Sequence, residues 1–472
     1  MFLPCLARNL AYVLSIGFLL LGADTVVPAA TSGADPVREV LPANDGWAAV
    51  PTATLPQGTT GGSQATAART HIVTTRKELL AALDFPDPTP KLIQIKGTID
   101  FNVDDNDAPL GCFNYAQPDP ATGEPYSLHA FLTMYDPGGP LGLQMARDKQ
   151  EPWGGQEDAR AASAAAQAGR IRVRVPPNTT LYGLGGDATL LGVALDIAGD
   201  ATGAAGTTPT AMNVIVRNLH FIDTYDCFPE WSPGDGPTGN WNSAYDSISI
   251  RHATHVWIDH NRFADEKTRD DLQPVYFGHR YQVHDGQVDI TDQSDYITVS
   301  WNQFAAHDKT MLIGSSDGAT TDRGRLRVTL HHNLFDGTGQ RTPRVRYGKV
   351  HVYNNVYRAN ARSNFRSAWG AGTESQLYAE NNYFHMSSSF SPLEVIDGKK
   401  GTRMTVIGNC WRARESCDAT DFLSIWNEKF DPDLKADAGW TPGLYGAASG
   451  PETVETAYRR VLDEGGPGRA RQ

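Results

Sequence analysis

From residue 171 onward the chain is built of short runs in which apolar and polar residues alternate. That period of two predicts strands with one buried face. Most runs end in Asn-x-aromatic or a close variant: Asn218-Leu-His-Phe221, Asn261-Arg-Phe263, Asn302-Gln-Phe304, Asn333-Leu-Phe335, Asn355-Val-Tyr357, Asn382-Tyr-Phe384 and Asn409-Cys-Trp411. Between Asn333 and Asn409 the triplets recur at intervals of 22, 27 and 27 residues; the earlier intervals are longer, as inserted loops would make them. Short units with a fixed terminal signature predict a solenoid, in which no coil buries its inward face alone and stacking supplies the core. The expected inward pairs are Ile248 and Ile250, Ile297 and Val299, Val328 and Leu330, Val350 and Val352, and Met404 and Val406. Asn side chains stacked at one turn would hydrogen-bond from coil to coil and satisfy the turn backbone. A β-sandwich also repeats strands, but seldom with one terminal triplet, so the expected fold is an all-β parallel β-helix.

Other segments read differently. Thr75 with Glu78, ahead of Leu79 to Leu83, has the form of a capping box opening a short helix. Leu92 to Ile99 reads as strand, and residues 30–60 as an extended surface segment. About 103–170 is an irregular insertion ending in an Ala-rich helix, Gln156 to Ala168. Val454, Ala457, Tyr458 and Val461, within 451–465, fall at helical spacing and are expected to cap the last coils.

The N-terminus changes the picture of where the protein acts. Arg8 precedes an apolar run, Leu10 to Leu21, too short to span a bilayer comfortably, and small residues follow around Ala29 and Ala30. Residues 1–30 are therefore expected to be a secretory signal, and 31–472 a single extracellular domain with no membrane segment. Cys112, Cys227, Cys410 and Cys417 remain after it. Four cysteines allow three pairings; the closeness of Cys410 to Cys417 favours one local bridge and a longer Cys112–Cys227 bridge. A zinc site is the competing idea, but no CxxC or His spacing supports it.

The 472 residues carry a formal net charge of −13, with 20% charged and 40% hydrophobic residues. That balance describes a soluble globular protein and argues against a nucleic-acid partner. It also means that any anionic ligand would need a local cationic cluster or a bound metal. Asp246, Asp285 and Asp289 lie in turn-like, small-residue contexts on consecutive predicted coils. Three carboxylates from adjacent coils would suit Ca²⁺, although from pattern alone capping its own turn is the commoner role for any one of them. Lys309, Arg341 and Arg346 are the cationic counterpart, with Arg344 two residues before Arg346 and so on the same strand face. Surface strands carry solvated arginines too, but in an acidic chain this grouping beside an Asp cluster points to carboxylate recognition. His331-His332 could suggest a metal, though structural hydrogen bonding is the expected role.

Trp257-Ile-Asp-His260, His307-Asp-Lys309-Thr-Met-Leu-Ile-Gly-Ser-Ser-Asp317, Leu326-Arg-Val-Thr-Leu-His-His-Asn333 and Gln340-Arg-Thr-Pro-Arg-Val-Arg346 together resemble the pectate lyase family, and Tyr347 to Asn355 continues the likeness. It is close over about 210–360 and weaker from Thr59-Thr-Gly-Gly62 through Asn178 to Leu184. The resemblance implies a right-handed parallel β-helix and β-eliminative cleavage of polygalacturonate by a secreted monomer, giving 4,5-unsaturated products. By position it makes Asp246, Asp285 and Asp289 the Ca²⁺ ligands. Arg341 becomes the base at C5 of galacturonate, and Lys309 and Arg346 the residues that bind the adjoining carboxylate. Arginine ordinarily titrates above about 12, so an alkaline optimum is expected. Trp257-Ile-Asp-His260 is expected near the cleft without a catalytic role. Asn261 stands where many relatives have Cys, a difference expected to be catalytically silent. Among the alternatives, a pectin lyase lacks such an acidic cluster. A polygalacturonase would use carboxylates as acid and base and leave the Lys309, Arg341 and Arg346 set unexplained. A non-catalytic polysaccharide-binding β-helix would have no need of Arg341.

Overall fold

The computed structural model describes residues 35–199 and 211–469. One coil shows the plan. The chain runs through Val288–Thr291, turns into Asp295–Ser300, bends at Trp301 and continues as Gln303–Ala305 before a loop returns it to Leu312–Ile313, one layer up. Strands of successive coils pair in parallel: Ile297 faces Val328, Val328 faces Val350, and Val350 faces Leu377. The second and third strands of each coil share an 18-stranded sheet, and the first strands form a separate eight-stranded one. The fold is a parallel β-helix, as the sequence pattern predicted.

Every expected inward residue is fully buried except Val406, which is half-buried in the last coil. The pairs do not all belong together, however. Ile248 and Ile250 lie in the eight-stranded sheet, and the residues of their coil that match Ile297 and Val299 are Val256 and Ile258. Both strands alternate in the same way, so pattern alone could not distinguish the two faces.

The Asn triplets mark the corner between the second and third strands. Oδ1 of Asn302 accepts from the backbone N–H of Asn261 at 2.9 Å, and the same bond joins Asn302 to Asn333, Asn333 to Asn355, Asn355 to Asn382 and Asn382 to Asn409, all within 2.9–3.0 Å. Each Nδ2 also donates to the next Oδ1. The residue before each of the first five Asn rungs (His260, Trp301, His332, Asn354, Asn381) has φ between 50° and 55°, a left-handed conformation that makes the corner tight and costs about 1 kcal/mol in an L-residue. The ladder satisfies the backbone groups that this corner exposes. Asn218 stands apart: it takes the left-handed position itself, at φ 62°, and Leu219 fills the rung and donates to Asn261. The extra residue in Asn218-Leu-His-Phe221 is the cause. Two positions after each rung the aromatic rings stack: Phe221, Phe263, Phe304, Phe335, Tyr357, Phe384 and Trp411 have successive centroids 4.4–6.0 Å apart.

The remaining elements cover ends and faces. Thr75 caps the helix Arg76–Leu83 by accepting from Glu78 N, while the Glu78 carboxylate reaches back chiefly to Thr74 N at 2.8 Å. The strand Lys91–Asp100 and the helices Gln156–Ile171 and Val454–Glu464 match their predicted segments. Both favoured disulfides are present, Cys112–Cys227 and Cys410–Cys417. The expected signal segment 1–30 lies outside the described residues.

His331 and His332 sit within hydrogen-bond reach of each other through their Nδ1 atoms at 2.9 Å, and His332 stacks on Trp301 at 4.2 Å. Burial lowers both imidazoles and outweighs Glu452, which lies 3.6 Å from His332, so that His332 is pushed down to about 4. The unfolded chain protonates His332 near pH 6.5 and the folded protein near 4, so stability present above 6.5 is lost as the pH falls between the two. Calorimetric melting should show a loss of about 3 kcal/mol over that interval, and His332→Asn should flatten it. Removing an inner rung, as in Asn302→Ala, leaves the Asn261 backbone N–H buried without a partner and Asn261 Nδ2 with only the Val216 carbonyl. Urea unfolding should register a cost of about 3 kcal/mol.

Candidate functional site

Stacking turns sequence offsets into rows on the outer face of the eight-stranded sheet. Ser249 is opposite Asp289, Ile290 opposite Ile313, and Leu312 opposite Arg344. Asp246 lies in the turn before Ile248–Arg251, and Asp285 and Asp289 border and enter the strand Val288–Thr291. Lys309 precedes Leu312–Ile313 and pairs in parallel with Gln340, the neighbour of Arg341. Asp246, the Asp285/Asp289 pair, Lys309 and Arg341 therefore occupy four consecutive coils, about 4.8 Å apart from each to the next.

Asp246 and Asp289 converge on Gly286. A Cβ there would lie 2.3 Å from Asp289 Oδ1 and 2.7 Å from Asp246 Oδ1, so glycine is required by the approach of the two carboxylates. Asp246 accepts from Gly286 N at 2.9 Å and Ser249 Oγ at 2.6 Å, and Asp289 accepts from Leu312 N at 2.9 Å. Burial, then the negative charge of Asp285, pushes Asp246 up to about 6. Burial and the charges of Asp246 and Asp285 raise Asp289 further, against the pull of Arg341. Asp285 turns toward Lys309, whose Nζ is 3.6 Å away. Among the described residues no group of three His, Cys, Asp or Glu forms a metal enclosure by itself. The donor chemistry still fits a hard cation: all oxygen, two mutually repelling carboxylates at a glycine cradle, and Asp285 within the same loop.

The cations divide into two groups. Lys309 and Arg341 line a cleft of about 1120 Å³, and Arg341 Nε is buried without a hydrogen-bond partner. Arg341 has φ 58°, and its carbonyl accepts from Met311 N at 2.7 Å, fixing where the side chain leaves the coil. Arg346, expected beside them, is held elsewhere. Its Nε donates to Asp317 at 2.8 Å and its NH1 to the carbonyls of Gly314 and Ser315 at 3.0 and 3.1 Å. Its stem lies against Gly372, where a Cβ would meet Arg346 Cγ at 2.9 Å. Arg344 lies on the same face, and burial together with the charges of Arg346 and Arg341 lowers it.

The insertion backs one wall of the cleft without lining it. Phe131, Tyr135 and Met145 from it pack with Trp231, Trp241 and Tyr281, behind the cleft-lining Asn240, His279 and Arg280. Cys112–Cys227 ties the insertion to the coils. Trp257-Ile-Asp-His260 is not near the cleft. It lies in the large sheet, where Asp259 binds Arg217 at 2.7 Å, His260 at 2.6 Å and Ser300 at 2.6 Å. The sequence reading missed a buried group beside the Asp loop: His307 Nδ1 is 2.7 Å from Asp265, and His284 is 3.6 Å from the same carboxylate. Burial opposes charge on His307, but Asp265 pulls it up to about 9. His284 and His307 were visible in sequence; Asp265, some 40 residues away from His307, gave no signal.

A pectate lyase family profile matches residues 153–421. The chain is 40% identical over 450 residues to a pectate lyase of Bacillus subtilis (strain 168), covering 94% of this chain and 96% of that one. It is 34% identical over 346 residues to pectate lyase E of Dickeya dadantii (strain 3937), covering 72% of this chain and 67% of the relative. Among solved structures, a Bacillus subtilis pectate lyase mutant superposes with a TM-score of 0.81 at 39% identity, over 92% of this chain and 100% of that one. A pectate lyase bound to a hexasaccharide gives the same score, identity and coverage.

The crowding of Asp246 and Asp289 has a consequence in metal-free protein. Asp289→Asn removes one of two repelling charges, so in excess chelator it should melt higher than the parent, by about 1 kcal/mol of stability. Thermal denaturation with and without chelator checks this; a lower melting point in chelator would show that the two carboxylates do not repel.

Proposed function

This chain belongs to the pectate lyase family of polysaccharide lyases, and from that premise we propose that it is an exported, calcium-dependent enzyme that cleaves polygalacturonate by β-elimination. The observation that carries the reading is the row of Lys309 and Arg341 in the cleft, one and two coils beyond a pair of crowded carboxylates. Export is supported by the apolar run from Leu10 to Leu21 and by two disulfides, which persist in oxidising compartments.

Asp246, Asp285 and Asp289 would hold the calcium ion, with Asp285 released from Lys309. Bound there, calcium would supply positive charge beside a substrate carboxylate and so would make the adjacent proton easier to lose. Lys309 binds the carboxylate on C6 of the sugar whose C5–H bond breaks, stabilising the negative charge that develops. Arg341, starting the step as the neutral guanidine, takes the C5 proton and becomes the guanidinium. The electron pair of that bond becomes the C4=C5 double bond as C4–O4 breaks, and the leaving oxygen keeps its electrons and collects a proton from solvent. Water is not added across the bond, so one fragment carries a 4,5-unsaturated end. Arg346 joins Lys309 when a substrate carboxylate displaces Asp317. The aromatic-backed wall bearing His279 and Arg280 confines the chain along the sheet.

Ultraviolet absorbance of the unsaturated product tests the reading. With polygalacturonate and calcium it should rise steadily, cease on chelation, and fall at least about a hundredfold for Arg341→Ala. New reducing ends without that absorbance would make the protein a hydrolase. Activity on methylated pectin that survives chelation would make it a pectin lyase, and neither signal would leave a binding protein.

A further inference from the structure

The loop that carries Asp285 and Asp289 is pinned by a set of buried bonds in which one side chain stands out. Val283 N and His284 N donate to Asp270 at 2.9 and 3.3 Å, and Gly286 N donates to Asp246 at 2.9 Å. Between them, the carbonyl of Asp285 lies 2.7 Å from His307 Nε2. The other ring nitrogen of His307 is 2.7 Å from Asp265 Oδ2. A carbonyl and a carboxylate can only accept, so both nitrogens of His307 donate, and the ring is an imidazolium locked between two oxygens. His307 is 5% exposed and Asp265 6%, so neither bond competes with water. Asp265 directly follows the strand Arg262–Ala264, which pairs with Gln303–Ala305 just before His307, so the coil stack itself brings the two together.

We propose that His307, oriented by Asp265, is a positioning residue that sets the affinity of the Asp246, Asp285 and Asp289 site for its divalent cation. By holding the Asp285 peptide it fixes the direction in which the Asp285 and Asp289 side chains leave the loop. The inference rests on the calcium reading above. It adds a buried polar pair, outside the carboxylates, on which that site depends. Partners that orient ligands in this way commonly change metal affinity by about 10- to 100-fold when removed.

Two substitutions separate positioning from bulk structure, because each keeps one of the two bonds. The amide nitrogen of His307→Gln stands near the place of Nε2 and can still donate to the Asp285 carbonyl. That of His307→Asn stands near the place of Nδ1 and keeps only the Asp265 bond. Calcium binding to the purified proteins is measured by titration calorimetry, with thermal melts in chelator to confirm folding. The expected result is a dissociation constant at least tenfold weaker for His307→Asn and within about threefold of the parent for His307→Gln. Equal affinity in both variants and the parent, or equal weakening in both, overturns the positioning role. If the parent itself binds no calcium, and Asp289→Asn behaves like it, the calcium reading fails and this inference fails with it.

Discussion

The coil-to-coil hydrogen bond is the constraint on which the rest of the structure depends. Parallel strands must sit about 4.8 Å apart and in register, so whatever occupies one position of a coil is repeated at that spacing along the solenoid. The core repeats as apolar layers, the corner as an Asn ladder from Asn261 to Asn409, and the interior as a stack of rings from Phe221 to Trp411. The same rule places Asp246, Asp289, Lys309 and Arg341 on successive layers although 95 residues separate the first from the last. A site made this way is as rigid as the sheet beneath it.

The corner is also where the fold spends strain. Five non-glycine residues in succession adopt left-handed φ before the rungs. Their side chains leave the large sheet and form a second polar layer against the N-terminal and C-terminal segments. In that layer burial alone would raise Asp259, yet His260 and Arg217 hold it down to about 2. Glu39 and Arg460 join from outside the coils. This explains why Trp257-Ile-Asp-His260 looks functional in sequence: charged residues are fixed there by one another, and the task is to clamp the segments that cover the helix.

What was legible in the sequence follows from what repeats. The triplets disclosed the solenoid, the ladder and the inward residues because each coil restates them. They misplaced Asn218 by one position and mixed two sheets at Ile248, because a period of two is the same on every face. Family motifs brought Asp246, Asp285, Asp289, Lys309 and Arg341 to one region. They could not foresee that Arg346 is engaged by Asp317, since a side chain's partner is chosen by the layer above and not by its neighbours in the chain. The bond between Asp265 and His307 was hidden for the same reason: the two residues are joined only by stacking.

The acidic net charge of −13 posed a difficulty for an anionic substrate. Its resolution lies in how the cleft carboxylates are used. Asp308 faces Arg366, Asp271 faces Arg269, Asp336 faces Arg358 and Asp265 faces His307. Each is neutralised locally, whereas among the described residues Lys309 has a single ion-pair partner, at 3.6 Å, and the Nε of Arg341 has no hydrogen-bond partner. The field that a sugar carboxylate meets at close range is thus set by the two cations, because ionic screening mutes the remote surface charge beyond about 10 Å. Asp246 and Asp289 instead crowd each other at Gly286, and the pair adjoins those cations on the same sheet face. A polyanion is repelled there until positive charge fills the pair, so under the proposed calcium dependence metal loading and substrate binding would be coupled by charge.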